Sequence, residues 1–360
     1  MPATAVVTGT SPIMLCAAIR LAENGWHVRA IEEKDRPGGA WRTIEAFGFE
    51  RVEPAVHLLE NRPRTYRHLT EDLGVELQAE ERCEGVIRGL RLGFHTTRIA
   101  CFTCVGLKGL LRRDLSRARL GLRSALRSVG NVTTPFMYPR NGSGSLLEDL
   151  LDRASRLPIE FQFDTTIKNV IVDPTDGRGT CQTSRGDEHF DRMVVSSRAH
   201  AEISIQGTPL EIPARRSTVK SLLMLLRVAH PLEAGYIEVL GDDIIRRIRN
   251  VGRFARPRPE DGIMILCVQL RERHPATEGA LSDLVDRVQA RLRRLRVLGS
   301  GDEIVDQKME HFTHDTVPDA SIRSIGNQTG KIVTGLTTTD FAEDLANLLE
   351  LPTTSWKNEN

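Results

Sequence analysis

The sequence predicts an α/β fold built around a parallel sheet, with a second, antiparallel sheet beside it. Residues 5–43, AVVTGTSPIMLCAAIRLAENGWHVRAIEEKDRPGGAWRT, read as strand, glycine turn, helix, strand and second glycine turn. Strand patterns return at Ile159–Phe163, Ile167–Val172 and His189–Ser197. A further set at Val219–Ala229, Tyr236–Leu240 and Ile263–Leu270 has the look of an antiparallel sheet.

The opening stretch justifies its elements one by one. Ala5, Val6 and Val7 run into a tight turn at Gly9. Pro12 stands in the first helical turn, where its missing N–H breaks no helical bond. Ile13, Ala17, Ala18, Leu21 and Ala22 recur at helical spacing, and Gly25 has the place of a glycine stop. The second strand, His27 to Ile31, ends at Glu32. A carboxylate about 20 residues past such a turn is where a dinucleotide fold holds ribose, so Glu32 is expected to accept both ribose hydroxyls. The turn and the helix N-terminus would face a pyrophosphate with backbone N–H groups. Arg36, Gly38 and Gly39 make a second turn where backbone can approach phosphate closely, with Arg42 just beyond. Against the G-x-G-x-x-G fingerprint this chain has Gly9, Ser11 and Met14. The Ser11 hydroxyl can donate in compensation, and Met14 must find a gap where glycine usually lets helix and strand meet.

Taken together, the strand, glycine turn, helix, strand, Glu32 and R-P-G-G string resembles the FAD-binding head of the flavin amine oxidase superfamily. That group includes protoporphyrinogen oxidase, phytoene desaturases and, more distantly, UDP-galactopyranose mutase. The resemblance is strongest over residues 5–57. It implies a Rossmann-like FAD-binding domain of the glutathione-reductase type with an inserted α+β substrate domain. The FAD domain would be discontinuous (1–57, 136–199 and 320–360), and 58–135 with 200–319 would form the substrate domain. The resemblance also places His57 near the flavin ring, and backbone near Ile167 against the adenine. It returns at the Y-P loop of Tyr138, at the strand holding Asp191 and Val194–Val195, and at KIVTGLTTTD. There the family has a strand ending in Gly-Asp. This chain has Gly335 and Leu336, with Thr337, Thr338, Thr339 and Asp340 supplying hydroxyls and a helix cap. Glu32 disfavours NADP by repelling a 2′-phosphate, and the length of the pattern favours FAD over NAD.

Composition adds bounds. The 360 residues carry a net charge of +1, which points to no nucleic acid. No apolar run reaches the length of a membrane span, and the first strand starts almost at Met1, so a cytoplasmic protein is expected. Cys16, Cys83, Cys181 and Cys267 are scattered and expected to be reduced. Cys101 and Cys104 form a lone C-x-x-C with no second pair, so no metal is expected; both read as core residues, with a redox pair as the alternative.

The remaining elements follow in order. A helix near Arg64–Leu73 ends at Gly74, and strand-like alternation runs from Val86 to Ile99. Lys108–Arg127 reads as one basic helix, first as a solvated cover, with an anionic lipid surface or a phosphorylated substrate as other partners. Ser145 and Glu148 have capping-box spacing. Asp173–Gly186 reads as a hairpin, Thr277–Leu298 as an amphipathic helix, Lys331–Val333 as a strand and Phe341–Leu349 as a helix. Arg247, Arg249 or Arg253 are candidates to face an acidic substrate.

Three functions follow from the resemblance. The first is an FAD-dependent oxidoreductase acting on a C–N or C–C bond of a small molecule. The second is a flavin-dependent, redox-neutral sugar-nucleotide mutase using Arg247 and Arg249 on diphosphate, with His57 nearby. The third is a relative without FAD that serves as a binding partner.

Overall fold

The structure, a computed structural model, describes residues 3–57, 59, 63–80, 82–87, 90–130, 136–197, 202–271, 281–337 and 344. β1 (Thr4–Thr8), α1 (Pro12–Glu23) and β2 (His27–Ile31) form the opening unit. Gly25 takes φ +87°, a left-handed conformation that ends the helix. Met14, Leu15, Ala17, Ala18, Ile19, Leu21 and Ala22 are all buried, so α1 is covered on nearly every side. A hairpin of β3 (Ile44–Ala46) and β4 (Phe49–Val52) follows, then α2 (Pro63–Arg67), continued by a π-type turn at His68–Asp72. Gly74 closes that segment with φ +70°.

β5 (Leu77–Ala79), β6 (Cys83–Ile87) and β7 (Leu90–Gly93) come next, followed by two helices, α3 (Phe94–Leu111) and α4 (Leu115–Gly130). Two expectations are corrected here. The alternation from Val86 to Ile99 stops at Gly93, and Phe94–Ile99 is helical. Thr96, Thr97 and Ile99 have strand propensity, but α3 packs against β6, where Gly85 leaves space that Thr97 fills. Lys108–Arg127 is two helices, because Arg113 turns left-handed (φ +57°) between them. The pair crosses closely: a Cβ on Gly121 would overlap the backbone of Gly106. Arg112, Arg113, Arg119 and Arg123 are exposed, and so are Leu111, Leu115 and Leu126. Cys101 is half-buried and Cys104 exposed, so the second is no core residue.

β8 (Met137–Pro139) leads to α5 (Ser143–Ser155) and β9 (Ile159–Gln162). α5 starts earlier than the capping box implies. Its N-cap is Gly142, and the Ser145 hydroxyl donates to the Gly142 carbonyl at 2.9 Å. β10 (Ile167–Asp173), β11 (Arg178–Thr183) and β12 (Gly186–Phe190) make an antiparallel meander, and β13 (Arg192–Ser196) is a separate strand after it. His189–Ser197 is therefore two strands turning at Asp191, whose carboxylate accepts the Thr4 N–H. β14 (Ile203–Ile205) and β15 (Thr208–Pro209) extend the meander.

β16 (Arg215–Arg227), β17 (Tyr236–Leu240), β18 (Ile245–Asn250) and β19 (Ile263–Leu270) precede α6 (Leu281–Arg294) and β20 (Glu303–Thr316). The chain then runs through α7 (Asp319–Gln328) to β21 (Val333–Leu336). The last strand lies later than Lys331–Val333, because Lys331 takes φ +69° and ends a turn. Residues 277–280, Thr338–Asp340 and the Phe341–Leu349 helix, Asp344 excepted, lie outside the described residues.

The strands collect into two main sheets and a meander. The parallel sheet has the order β21-β13-β1-β2-β9, drawn from three separated parts of the chain. α1 and α5 cover one of its faces, and the meander and α7 the other. A seven-stranded sheet runs β20-β16-β19-β18-β17-β6-β7, joining residues 83–93 to 215–316. α6 buries Leu284, Val285, Val288 and Leu292 against one face of it. Its other face packs on Ala46, Val52 and Val56, which follow the second glycine turn. Among the described residues, no helix is long and apolar enough to cross a membrane.

Gly335 lies inside β21 rather than in a turn, and a Cβ there would overlap the Ile322 carbonyl of α7. Gly335→Ala is expected to cost about 1–3 kcal/mol by overpacking, read as a lower urea midpoint.

Candidate functional site

The two glycine turns meet at the C-terminal ends of β1 and β2, the side where open α/β sheets hold ligands. Gly9 takes φ +80° and its N–H donates to the Ile31 carbonyl at 2.6 Å. Ser11 caps α1 with extended backbone, and its side chain makes no capping bond. Opposite, Gly38 (φ +106°) and Gly39 (φ +54°) bend the second turn. A Cβ on Gly38 would overlap Leu147 of α5, whereas one on Gly39 would meet only the Ser11 Cβ, 3.8 Å away. The Ser11, Gly39 and Ala40 amides take no backbone acceptor among the described residues. These amides lie where the second turn meets the N-terminus of α1, with Ser11 beside Gly39. Pro12 removes one donor that this helix end would otherwise offer.

Glu32 is buried beside the two turns. The Thr10 N–H and hydroxyl donate to one of its oxygens at 2.9 and 2.6 Å, and the Lys34 N–H donates to the other at 3.1 Å. A carboxylate has about four acceptor positions. Three are filled, so Glu32 has room for one ribose hydroxyl rather than the two expected. Thr10 also accepts the Gly38 N–H at 3.2 Å, tying the two turns together. Sequence reasoning passed over Thr10, because the fingerprint leaves that position open to any residue.

The other cofactor candidates scatter around this centre. Arg36 is exposed and ion-paired with Asp35 at 3.3 Å. Arg42 is half-buried, with its guanidinium 5.7 Å from the Phe312 ring on β20. Ile167 opens β10 just after Thr165, whose N–H donates to the Glu32 carbonyl at 3.0 Å. Gly335 and Thr337 lie at the other side of the sheet. The Thr337 N–H and hydroxyl donate to Asp344 at 2.8 and 2.7 Å. Met14 and Leu336, two of the three departures from the family pattern, are both buried in the core that holds α1.

His57 and Arg249 are brought together. The His57 ring stacks on Trp41 (4.4 Å, 10°), and its Nε2 lies 2.7 Å from the Ala40 carbonyl. A carbonyl only accepts, so the proton sits on Nε2. Burial pushes the imidazole from 6.5 down to about 4, Arg249 and Arg247 push the same way, and the Ala40 bond opposes them. His57 is therefore neutral, and it pins the second glycine turn through Ala40. Arg249 is fully buried. It donates to the His57 carbonyl at 2.6 Å and to Glu80 at 2.9 Å, and its Cζ lies 3.5 Å above the Tyr138 ring. Burial opposes its charge, but Tyr138, Glu53 and Glu80 outweigh burial and raise its pKa. Arg253 also pairs with Glu80. The Tyr138 hydroxyl donates to Glu53 at 2.8 Å, and Glu53 also accepts the Ser143 N–H at 2.6 Å. Neither glutamate was legible as a site residue. Glu80 lies in the charged run AEER, and Glu53 in VEP, with no spacing to mark either.

Comparison with known proteins matches this architecture. A family model described as an NAD(P)-binding Rossmann-like domain matches residues 7–73. The sequence has no match among curated proteins. In structure the chain is similar to reduced UDP-galactopyranose mutase (TM-score 0.66, 12% identity, 98% of this chain and 95% of that one). It is also similar to an oxidoreductase from Methanosarcina mazei (0.64, 12%, 96% and 100%). A third is putrescine oxidase bound to putrescine (0.62, 12%, 96% and 96%). The fold is the one that these solved structures share.

The neutral His57 gives stability a pH signature. Its folded pKa lies below its unfolded one, so the unfolded chain takes up a proton that the folded chain refuses. This contribution is complete above pH 6.5 and is lost as the pH falls toward about 4. His57→Gln is expected to flatten the fall in urea midpoint across that window.

Proposed function

We propose that the chain binds FAD and is an oxidoreductase, acting on a C–N or C–C bond of a small molecule. The observation that carries the reading is the adjoining pair of glycine turns: amides of Ser11, Gly39 and Ala40 without a backbone acceptor among the described residues, with Glu32 buried beside them. Amides and a helix N-terminus are the donor set of a pyrophosphate, and the open acceptor position of Glu32 suits one ribose hydroxyl. When bound, FAD supplies the hydride acceptor. Ser11, Gly39 and Ala40 would hold the pyrophosphate, with Arg36 and Arg42 as flanking cations. Backbone at Ile167 would lie against the adenine, and Thr337 at the far end of the sheet. His57 keeps the second turn in place and, holding its proton toward Ala40, offers only a lone pair at Nδ1.

The location read from these residues is the cytoplasm. All six cysteines are unpaired, as a reducing compartment keeps them.

The test is the visible spectrum after desalting, with and without added FAD. A retained flavin spectrum is expected. Glu32→Ala should weaken FAD binding about tenfold or more, the worth of one charged hydrogen bond. Ser11→Gly should tighten it by removing the side chain that stands beside Gly39. A colourless protein that takes up no FAD would sink the reading.

A further inference from the structure

A line of polar side chains crosses the seven-stranded sheet in register. From β17 to β20, Glu238, Arg247, Gln269, Ser221 and Glu310 are direct cross-strand partners. Opposed residues in a sheet share a face. Two positions along each strand on this face stand Tyr236, Cys267 and Leu223, which pack with Val52 and Val56. The row therefore faces the dinucleotide-binding unit, and α6 lies behind it.

Gln269 and Arg247 stand side by side in the row with open atoms, and the Ser221 Oγ on the other side of Gln269 is a third. Gln269 is only 5% exposed, and its buried Oε1 has no hydrogen-bond partner. The buried Nε of Arg247 has none either, and Arg247 makes no ion pair among the described residues. An acceptor and a donor left open side by side each cost about 1–3 kcal/mol. A sheet built only for packing would put apolar residues there, as its other face does. Two residues on along the same strand and on the same face, Arg249 donates to the His57 carbonyl at 2.6 Å, so the row lies next to the segment that follows the second glycine turn.

We propose that this row is the floor of the substrate site, and that its substrate class is a small carboxylic acid bearing a hydroxyl or amino group. This rests on the oxidoreductase reading above. The carboxylate would take Arg247, and the O–H or N–H would donate to Gln269 Oε1, about 4.8 Å away, one strand over. The flanking Glu238 and Glu310 disfavour a dianionic phosphate and leave a singly charged, planar carboxylate as the better match.

The test is saturation-transfer NMR on the FAD-loaded protein and on the protein as purified. The probes are 3-hydroxypropionate, β-alanine, propionate and 3-aminopropanol. Binding of 3-hydroxypropionate or β-alanine is expected, and the stronger of the two tells a hydroxy acid from an amino acid. Propionate, lacking the donor, should bind at least fivefold more weakly, and 3-aminopropanol not at all. Arg247→Gln should abolish binding. Gln269→Leu, which replaces a partnerless amide by an apolar group and should fold, should reduce 3-hydroxypropionate to the level of propionate and leave propionate unchanged. No acid binding, equal binding of 3-aminopropanol, or unchanged binding in Gln269→Leu overturns the proposal. FAD uptake is read separately from the spectrum, so the flavin reading and the acid site fail independently.

Discussion

The buried Arg249 is the constraint on which the arrangement of this molecule depends. Its guanidinium sits out of water on β18, yet all that surrounds it comes from elsewhere in the chain. It reaches the carbonyl of His57 after the glycine turns, the carboxylate of Glu80 before β6, and the ring of Tyr138 on β8. A buried charge is tolerable only when such partners are in place, and removing one partner costs about 3–5 kcal/mol. The parallel sheet and the seven-stranded sheet are thereby held in one relation. Burial is the main cause of the neutral state of His57, and the cation adds to it. A second positive charge beside Arg249 and Arg247, in a site already short of water, is unfavourable, so the imidazole stays neutral and spends its proton on Ala40. Through that bond the same constraint reaches the amides of the second turn.

Much of the fold was legible because its first 43 residues obey local rules. A glycine with positive φ, a helix of period 3.6 and short apolar strands leave few alternatives there. The long antiparallel strands at Tyr236–Leu240 and Ile263–Leu270 were equally plain. Legibility failed where tertiary contact overrode propensity or where a turn carried no mark. Phe94–Ile99 is helical because Gly85 makes room for α3. The basic stretch breaks at an arginine, a residue that ordinarily continues a helix, and neither glycine nor proline announces the left-handed turn.

The candidate site was legible in its backbone and much less so in its side chains. The turns and Glu32 follow from spacing. That Glu32 is largely occupied follows from Thr10, a residue at a position the fingerprint treats as free. Met14 and Leu336 look in sequence like two separate losses. In the fold both are buried in one apolar core, beside Leu15, Leu146 and Leu147. Met14 stands where glycine is usual and Leu336 where aspartate is, and one apolar core takes up both side chains.

Two arginines on one strand show how burial separates a structural charge from a binding one. Arg247 and Arg249 alternate by two residues on β18 and face the same way. The guanidinium of Arg249 is engaged on both sides, by a carbonyl and a carboxylate, with an aromatic face beneath it. Arg247 and its neighbour Gln269 are left open in the same surroundings. Arg249 keeps an open Nε as well, so what sets Arg247 apart is that no carboxylate or carbonyl takes its guanidinium among the described residues, while Gln269 stays open beside it. Arg249 holds the sheets in place. Arg247 and Gln269, two residues along the same strands, lie on the sheet face that packs against the chain after the glycine turns.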